Sequence, residues 1–255
     1  HSPYLRKLMM RHEEIAALLD AGRLDDALAH SRAIDPDLPT ATALRQAKAR
    51  LALSLAIGDL AGALTLEQVV GELSDFADLS LDHAVRAAVE AVTPGEEARG
   101  FAVIALGKHG SRELNYSSDI DPILIFDPET LPHRQRDEPV EGAVRIASKL
   151  MEIMQARDGD GYVFRVDLRL RPNPEVTPTA LPIDAAISYY ESSALPWERA
   201  AFIRARACSG DVALGESFLG AIRPFVWRRG LDFGAIAEIR DMSRRIRDAF
   251  RHVFA

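Results

Sequence analysis

Hydrophobic and polar positions divide the 255-residue chain into three textures. From residue 1 to about 95 the pattern is helical, rich in Ala and Leu, with almost no β-branched runs. "ALTLEQVVGELSDF" carries a capping-box signature, Thr65 with Gln68, ahead of apolar residues at helical spacing. "SLDHAVRAAVEAV" predicts a helix with Ser80 as N-cap that stops before Pro94-Gly95. "AIDPDLPTATAL" is the clearest helix breaker in this part.

The texture changes at Phe101. "FAVIAL" (101–106) is a short apolar run ending at Gly107, as a buried strand would be, and "DIDPILIFD" predicts a second strand. "YVFRVDLRLRP" (162–172) alternates with period two and predicts a third. Between these, "PVEGAVRIASKLMEIMQAR" sets Val140, Val144, Ala147, Leu150, Met151 and Met154 on one helical face. Helical patterns return from Ile183 in "IDAAISYYESSA", "PWERAAFIRARA" and a stretch from about Phe233. The expected fold is α+β: a small mixed-sheet core over 98–182, flanked by helical regions over 1–97 and 183–255.

Composition narrows the function. A hydrophobic share of 47% with 27% charged residues is that of an ordinary soluble globular protein. A net charge of −7 argues against a non-specific grip on nucleic acid, which needs basic patches to displace counterions. Cys208, the single cysteine, excludes a disulfide framework and a thiolate zinc site, so a reducing cytoplasm is the expected compartment. No apolar run approaches the length of a membrane span. The chain opens at His1 without Met and closes inside the charged helical pattern "RDMSRRIRDAFRHVFA", so it is expected to be a piece of a longer protein.

The candidate chemistry lies in "GSRELNYSSDIDPILIFD", residues 110–127. On a strand Asp119 and Asp121 share one face and Ile120 takes the other. Two carboxylates that close repel unless a cation sits between them. In the third strand Arg165, Asp167, Arg169 and Arg171 share one parity, and Val166, Leu168 and Leu170 the opposite one. If the two strands are neighbours, three carboxylates meet beside three guanidiniums: an anionic pocket for metal next to a cationic one for phosphate. Phosphoryl or nucleotidyl transfer needs both. Upstream, Gly110 lets the backbone approach a phosphate and Ser111 can donate to it. That makes the Lys108–Asn115 loop a candidate phosphate cradle, with Ser118 beside it. The expected ion is Mg²⁺ or Mn²⁺, as two ions, because the ligands are hard oxygens.

Gly-Ser, seven residues, then Asp-x-Asp, with a third Asp on a later strand, resembles the nucleotidyltransferase superfamily of polymerase-beta type. "GKHGSRELNYSSDID", "GYVFRVDLRLRP", "WERAAFIRARACSGD" and "RPFVWRRGLDFGAIAEIRDM" sharpen the resemblance to the bifunctional glutamine synthetase adenylyltransferase/adenylyl-removing enzymes. "ELNYSSDID" and "RPFVWRRGLDFGAI" resemble their N-terminal, adenylyl-removing half. The resemblance implies phosphorolysis: inorganic phosphate attacks the AMP phosphorus of adenylyl-tyrosine on glutamine synthetase, giving ADP and free tyrosine. It implies Asp119, Asp121 and Asp167 as catalytic metal ligands. Gly110 and Ser111 would be the phosphate-binding turn, and Lys108, Ser118, Arg165, Arg169 and Arg171 nucleotide or phosphate contacts. The implied partners are adenylylated glutamine synthetase and a PII signal protein, with no nucleic acid and no membrane. His109 and Ser111 stand where the family shows a bulkier apolar residue and a second Gly. Pro122 replaces an apolar residue, so the strand must be an edge or locally bulged there.

Plainer readings stand beside these. The three arginines could be a solvated face paired with nearby acids. Trp197 reads as core packing, Glu198 as a partner for an Arg, and Cys208 as a small buried apolar residue. Arg204 and Arg206, two apart on a predicted helix, point away from each other. His83, His109 and His133 lack metal-ligand spacing and suit surface or loop positions. "RRIRDAFRH" reads as a helix packing on the rest of a longer chain. Competing functions are adenylyl transfer from ATP by the same fold, and a nucleotide-binding regulatory module without catalysis.

Overall fold

The structure, a computed structural model, describes residues 2–227 together with Arg240, Asp241 and Arg244. Five helices lead: α1 (Pro3–Arg11), α2 (Glu13–Asp20), α3 (Leu24–Arg32), α4 (Thr40–Leu60) and α5 (Leu66–Val92). There follow β1 (Phe101–Leu106), the one-turn helix α6 (Gly107–Gly110), β2 (Asp121–Phe126), α7 (Pro139–Gln155) and β3 (Ala180–Pro182). The last elements are α8 (Ile183–Ser192), α9 (Pro196–Phe202), β4 (Arg206–Gly210) and α10 (Val212–Val226). Of the helix expected from about Phe233, only Arg240, Asp241 and Arg244 are among the described residues, and they are helical; the rest, with the basic stretch after Arg244, lies outside them.

The fold is α+β. The sheet runs β3-β2-β1-β4, antiparallel at β2-β1 and β1-β4 and parallel at β2-β3. Apart from Asp121 at the start of β2, its central strands are apolar because both faces are covered. Phe101, Val103, Leu124 and Phe126 join one core with α5 and α7. Ala102, Ile104, Leu106, Ile123 and Ile125 join a second with α8 and α10. The first core runs across residue 97, so α4, α5 and the sheet pack as one body. Among the described residues no helix is long and apolar enough to cross a membrane.

Several local expectations change. The Thr65/Gln68 capping box is present, with Thr65 N–H donating to Gln68 Oε1 at 2.8 Å. Ser80, however, caps nothing. It lies inside α5, buried, and its hydroxyl donates to Phe76 O four residues back. The apolar stripe Leu73–Phe76–Ala77–Leu81–Ala84 continues through it, and burying that stripe outweighs the capping preference of one Ser. On α7 the buried stripe is Ala143, Ile146, Ala147, Leu150, Ile153 and Met154, whereas Val140 is exposed.

The third strand over 162–172 does not form. It contracts to one parallel bridge, Ile120 with Val166. Phe164, Val166 and Leu168 still turn into the first core, but Leu170 packs against the second, so the alternation breaks and the chain leaves the sheet. The sheet's outer strands come instead from β3 and β4. β4 carries Arg206 from the stretch expected to be helical, because α9 stops at Phe202. Pro122 is tolerated for a visible reason. β3 pairs with β2 only at Leu124–Phe126, so Pro122 pairs with Ala105 alone and no neighbour needs its missing N–H.

Candidate functional site

The site sits where β1 and β2 end. Asp121 opens β2 opposite Leu106, the last residue of β1, and the chain turns directly into α6. Gly107 makes that turn at φ +56°, a conformation that disfavours a side chain. A Cβ there would meet Asp121 Oδ2 at 2.9 Å. Sequence reasoning singled out Gly110 and passed over Gly107, which abuts the carboxylate; the signal was a Gly ending an apolar strand.

Ile120 brings the third aspartate across. Its N–H donates to Arg165 O at 3.0 Å, and its C=O accepts from Asp167 N–H at 2.9 Å. With the Ile120 and Val166 side chains buried, Asp119, Asp121 and Asp167 are turned to the other side. Asp121 registers their company: burial first, then the charges of Asp167 and Asp119, push its carboxyl up to about 6, against smaller opposing effects of Arg169 and Lys108.

The outer two aspartates have each taken a guanidinium. Asp119 is paired with Arg165 Nε. Arg165 also donates to Ser117 O at 2.7 Å and Tyr162 Oη at 3.0 Å. Asp167 holds Arg169 through Nε at 2.8 Å and through Nη2, and those hydrogen bonds hold its carboxyl below the usual range. So the three carboxylates share one side of the chain without closing into one ligand cage. Among the described residues, the one trio of His, Cys, Asp or Glu with ligand atoms mutually within 4.8 Å is Asp78, His109 and Cys208.

Arg171 stands apart. Its guanidinium donates to Leu168 O at 2.9 Å and Pro174 O at 2.8 Å, closing the loop before β3. Ser118 Oγ accepts from Asn115 N–H at 3.1 Å and shapes the turn into Asp119. Ser111 Oγ lies within hydrogen-bond reach of Gly107 O, Lys108 O and Glu113 Oε2, and Arg204 Nη1 spans both oxygens of Glu113. Lys108 is exposed. Gly110 is buried, and a Cβ there would meet Arg204 O at 2.4 Å and Ala105 O at 2.8 Å. Its bare backbone therefore makes room for the chain at Arg204.

His109 corrects the surface expectation. It is fully buried, with Nε2 2.7 Å from Asp78 Oδ1, and burial holds its imidazole below the usual range. Asp78 lies on α5 and also takes Arg206 at 2.6 and 2.9 Å. This trio pins α6 against α5 and β4. Arg206 engages both oxygens of Asp78. Arg204 and Arg206 thus serve different partners. Cys208, whose thiol burial pushes up to about 12, lies against Val103 O. Glu198 is buried and accepts from Leu195 N–H at 2.6 Å and from Tyr189 Oη at 3.1 Å.

The donor set of Asp119, Asp121 and Asp167 fits a hard divalent cation: three carboxylates, no thiolate or imidazole, and one carboxyl pushed up by its neighbours.

The chain is similar to known proteins over most of its length. The family described as glutamate-ammonia ligase adenylyltransferase matches residues 1–221. A bifunctional glutamine synthetase adenylyltransferase/adenylyl-removing enzyme of Caulobacter vibrioides is 47% identical over 270 residues, covering 96% of this chain and 27% of that protein. Proteins of the same name from Xanthobacter autotrophicus and Rhizobium meliloti are 46% and 44% identical, covering 82% and 83% of this chain and 22% of each relative. The chain thus spans about a quarter of the length of the relatives it matches.

Proposed function

The chain belongs to the glutamate-ammonia ligase adenylyltransferase family, and from that premise we propose that it removes AMP from an adenylylated tyrosine of glutamine synthetase by phosphorolysis. An oxygen of inorganic phosphate forms a bond to the AMP phosphorus, the bond to the tyrosyl oxygen breaks, and the phenolate takes a proton from solvent. The products are ADP and unmodified glutamine synthetase. The observation that carries the reading is the bridge at Ile120, whose backbone bonds to Arg165 and Asp167 bring Asp167 to the side of Asp119 and Asp121.

Asp119, Asp121 and Asp167 would hold Mg²⁺ or Mn²⁺, as two ions, which would neutralise oxyanion charge and polarise the phosphorus under attack. Arg165 and Arg169, which pair with Asp119 and Asp167 here, would be released if those carboxylates held cations, and could then orient the phosphate oxygens where two anions must be brought together. The nucleophile is already anionic, so no strong general base is required. Lys108 and Ser111 follow directly on β1, in and just after α6, and would be the phosphate contacts at that end.

The removing direction is favoured over transfer from ATP by the match of "ELNYSSDID" and "RPFVWRRGLDFGAI" to the N-terminal half. A PII signal protein would be a regulatory partner, and the cytoplasm the compartment. The test is ADP release from adenylylated glutamine synthetase with phosphate and Mg²⁺, by wild type and by Asp119→Asn. ADP from wild type alone, with the variant folded, supports the reading; an active Asp119→Asn chain overturns it.

A further inference from the structure

A cavity of about 570 Å³, walled mainly by apolar atoms, opens between α1, α4 and the loops at 116–117 and 159–162. Tyr4, Tyr116 and Tyr162 stand around it, and Ala52 of α4 leaves its floor open. Lys48 reaches in from α4 with its ammonium on Val163 O, 4.0 Å from the centre of the Phe164 ring and 5.1 Å from that of Tyr162. An ammonium has three donors, and that contact uses one. The cavity adjoins the aspartates through a single side chain. Arg165 donates to Tyr162 Oη and Ser117 O, both on the cavity wall, while its Nε holds Asp119.

We propose that this cavity receives the adenine base of the nucleotide whose phosphate is handled at Asp119, Asp121 and Asp167. The inference rests on the function proposed above and adds to it a subsite that distinguishes base from phosphate. The volume falls within the ordinary range for small-ligand sites. Tyrosine walls suit a flat, weakly polar ring system, whose π-face stacks on an aromatic side chain. The spare donors of Lys48 suit the ring nitrogens of a purine or the hydroxyls of its ribose. Burial and the nearby Arg165 bring the Lys48 amine down to about 8, so an acceptor ligand meets an ammonium that is only lightly compensated. One guanidinium, that of Arg165, links the cavity wall to Asp119, so a base in the cavity and a phosphate at the aspartates would lie on either side of it.

Two variants test the base site. Tyr116→Ala removes an exposed wall, and Ala52→Leu fills the floor while keeping a good helix former on α4. Binding of ADP and of pyrophosphate, each with Mg²⁺, is measured by calorimetry on the same chain. Pyrophosphate reads the carboxylate end alone. The expected result is ADP binding weakened about tenfold in both variants, with pyrophosphate binding unchanged. ADP binding equal to wild type in both variants, or ADP and pyrophosphate weakened in parallel, overturns the base site. A wild-type chain that binds pyrophosphate no weaker than ADP overturns it as well. Failure of the wild type to bind pyrophosphate at all strikes instead at the parent reading and takes the base site down with it.

Discussion

Gly107 and Asp121 are in direct apposition: a Cβ at Gly107, where φ is +56°, would lie 2.9 Å from Asp121 Oδ2. The close approach couples the end of β1 to the carboxylate that opens β2. Gly110, three residues on, is crowded by backbone oxygens of Arg204 and Ala105. The two glycines therefore separate site from fold. Gly107→Ala should lower stability by about 1–2 kcal/mol, the ordinary cost of a left-handed non-glycine residue, yet weaken Mn²⁺ binding strongly by displacing Asp121. Gly110→Ala should cost more stability, because carbonyls cannot move aside as a carboxylate can. Thermal midpoints and Mn²⁺ titrations on both variants check the contrast.

Asp121 and His109 make the stability of the metal-free chain depend on pH in opposite directions. Asp121 has a folded value of about 6 against 3.8 unfolded. Its contribution is complete below the unfolded value and is lost as pH rises through about 6. His109 is depressed by burial from 6.5, so its contribution is present above that value and lost as pH falls through the folded one. Asp121→Asn should raise the thermal midpoint by about 2–4 °C near neutral pH. By about pH 4 the gain should vanish, since both side chains are then uncharged. Mg²⁺ should stabilise wild type and leave Asp121→Asn unmoved. Thermal melts across pH, with and without Mg²⁺, decide it.

Asp78 faces the buried His109 and the guanidinium of Arg206 at once. Asp78→Asn strips the charge that satisfies both and should cost about 2–3 kcal/mol in a denaturant melt. The variant's activity loss should be recovered at lower temperature, where the fold is populated. Activity lost with full stability would instead place Asp78 in the chemistry.

The arginines should divide by their partners. Among the described residues Arg169 is held by Asp167, through a side chain that is almost wholly exposed. Arg169→Met should raise the KM for phosphate by about tenfold with little change in stability. Arg171→Met should do the reverse, because Arg171 ties three backbone carbonyls of the loop before β3. Steady-state kinetics on adenylylated glutamine synthetase, beside thermal melts, separates the two.

The pairing of Asp119, Asp121 and Asp167 was legible because strand parity is a property of the backbone, and a single bridge at Ile120–Val166 suffices to impose it. The apolar runs at 101–106 and 122–126 were legible because a strand covered on both faces carries apolar residues at successive positions. What the sequence hid was set by tertiary contact. Ser80 reads as a cap and is buried mid-helix. Arg206 reads as helical and pairs in a strand beside β1. His109 reads as a surface residue and is buried against Asp78, which precedes it by 31 positions, a separation that no local pattern reveals. The role of Gly107 appears only once Asp121 stands beside it.

The central claim is that inorganic phosphate attacks the AMP phosphorus at these three aspartates. Radiolabelled phosphate, incubated with the chain, Mg²⁺ and adenylylated glutamine synthetase, tests it most directly. The account predicts label in the terminal phosphoryl group of ADP, one equivalent for each tyrosine freed, and none with Asp167→Asn. Unlabelled AMP as the product, or labelled ADP from the Asp167→Asn chain, contradicts it.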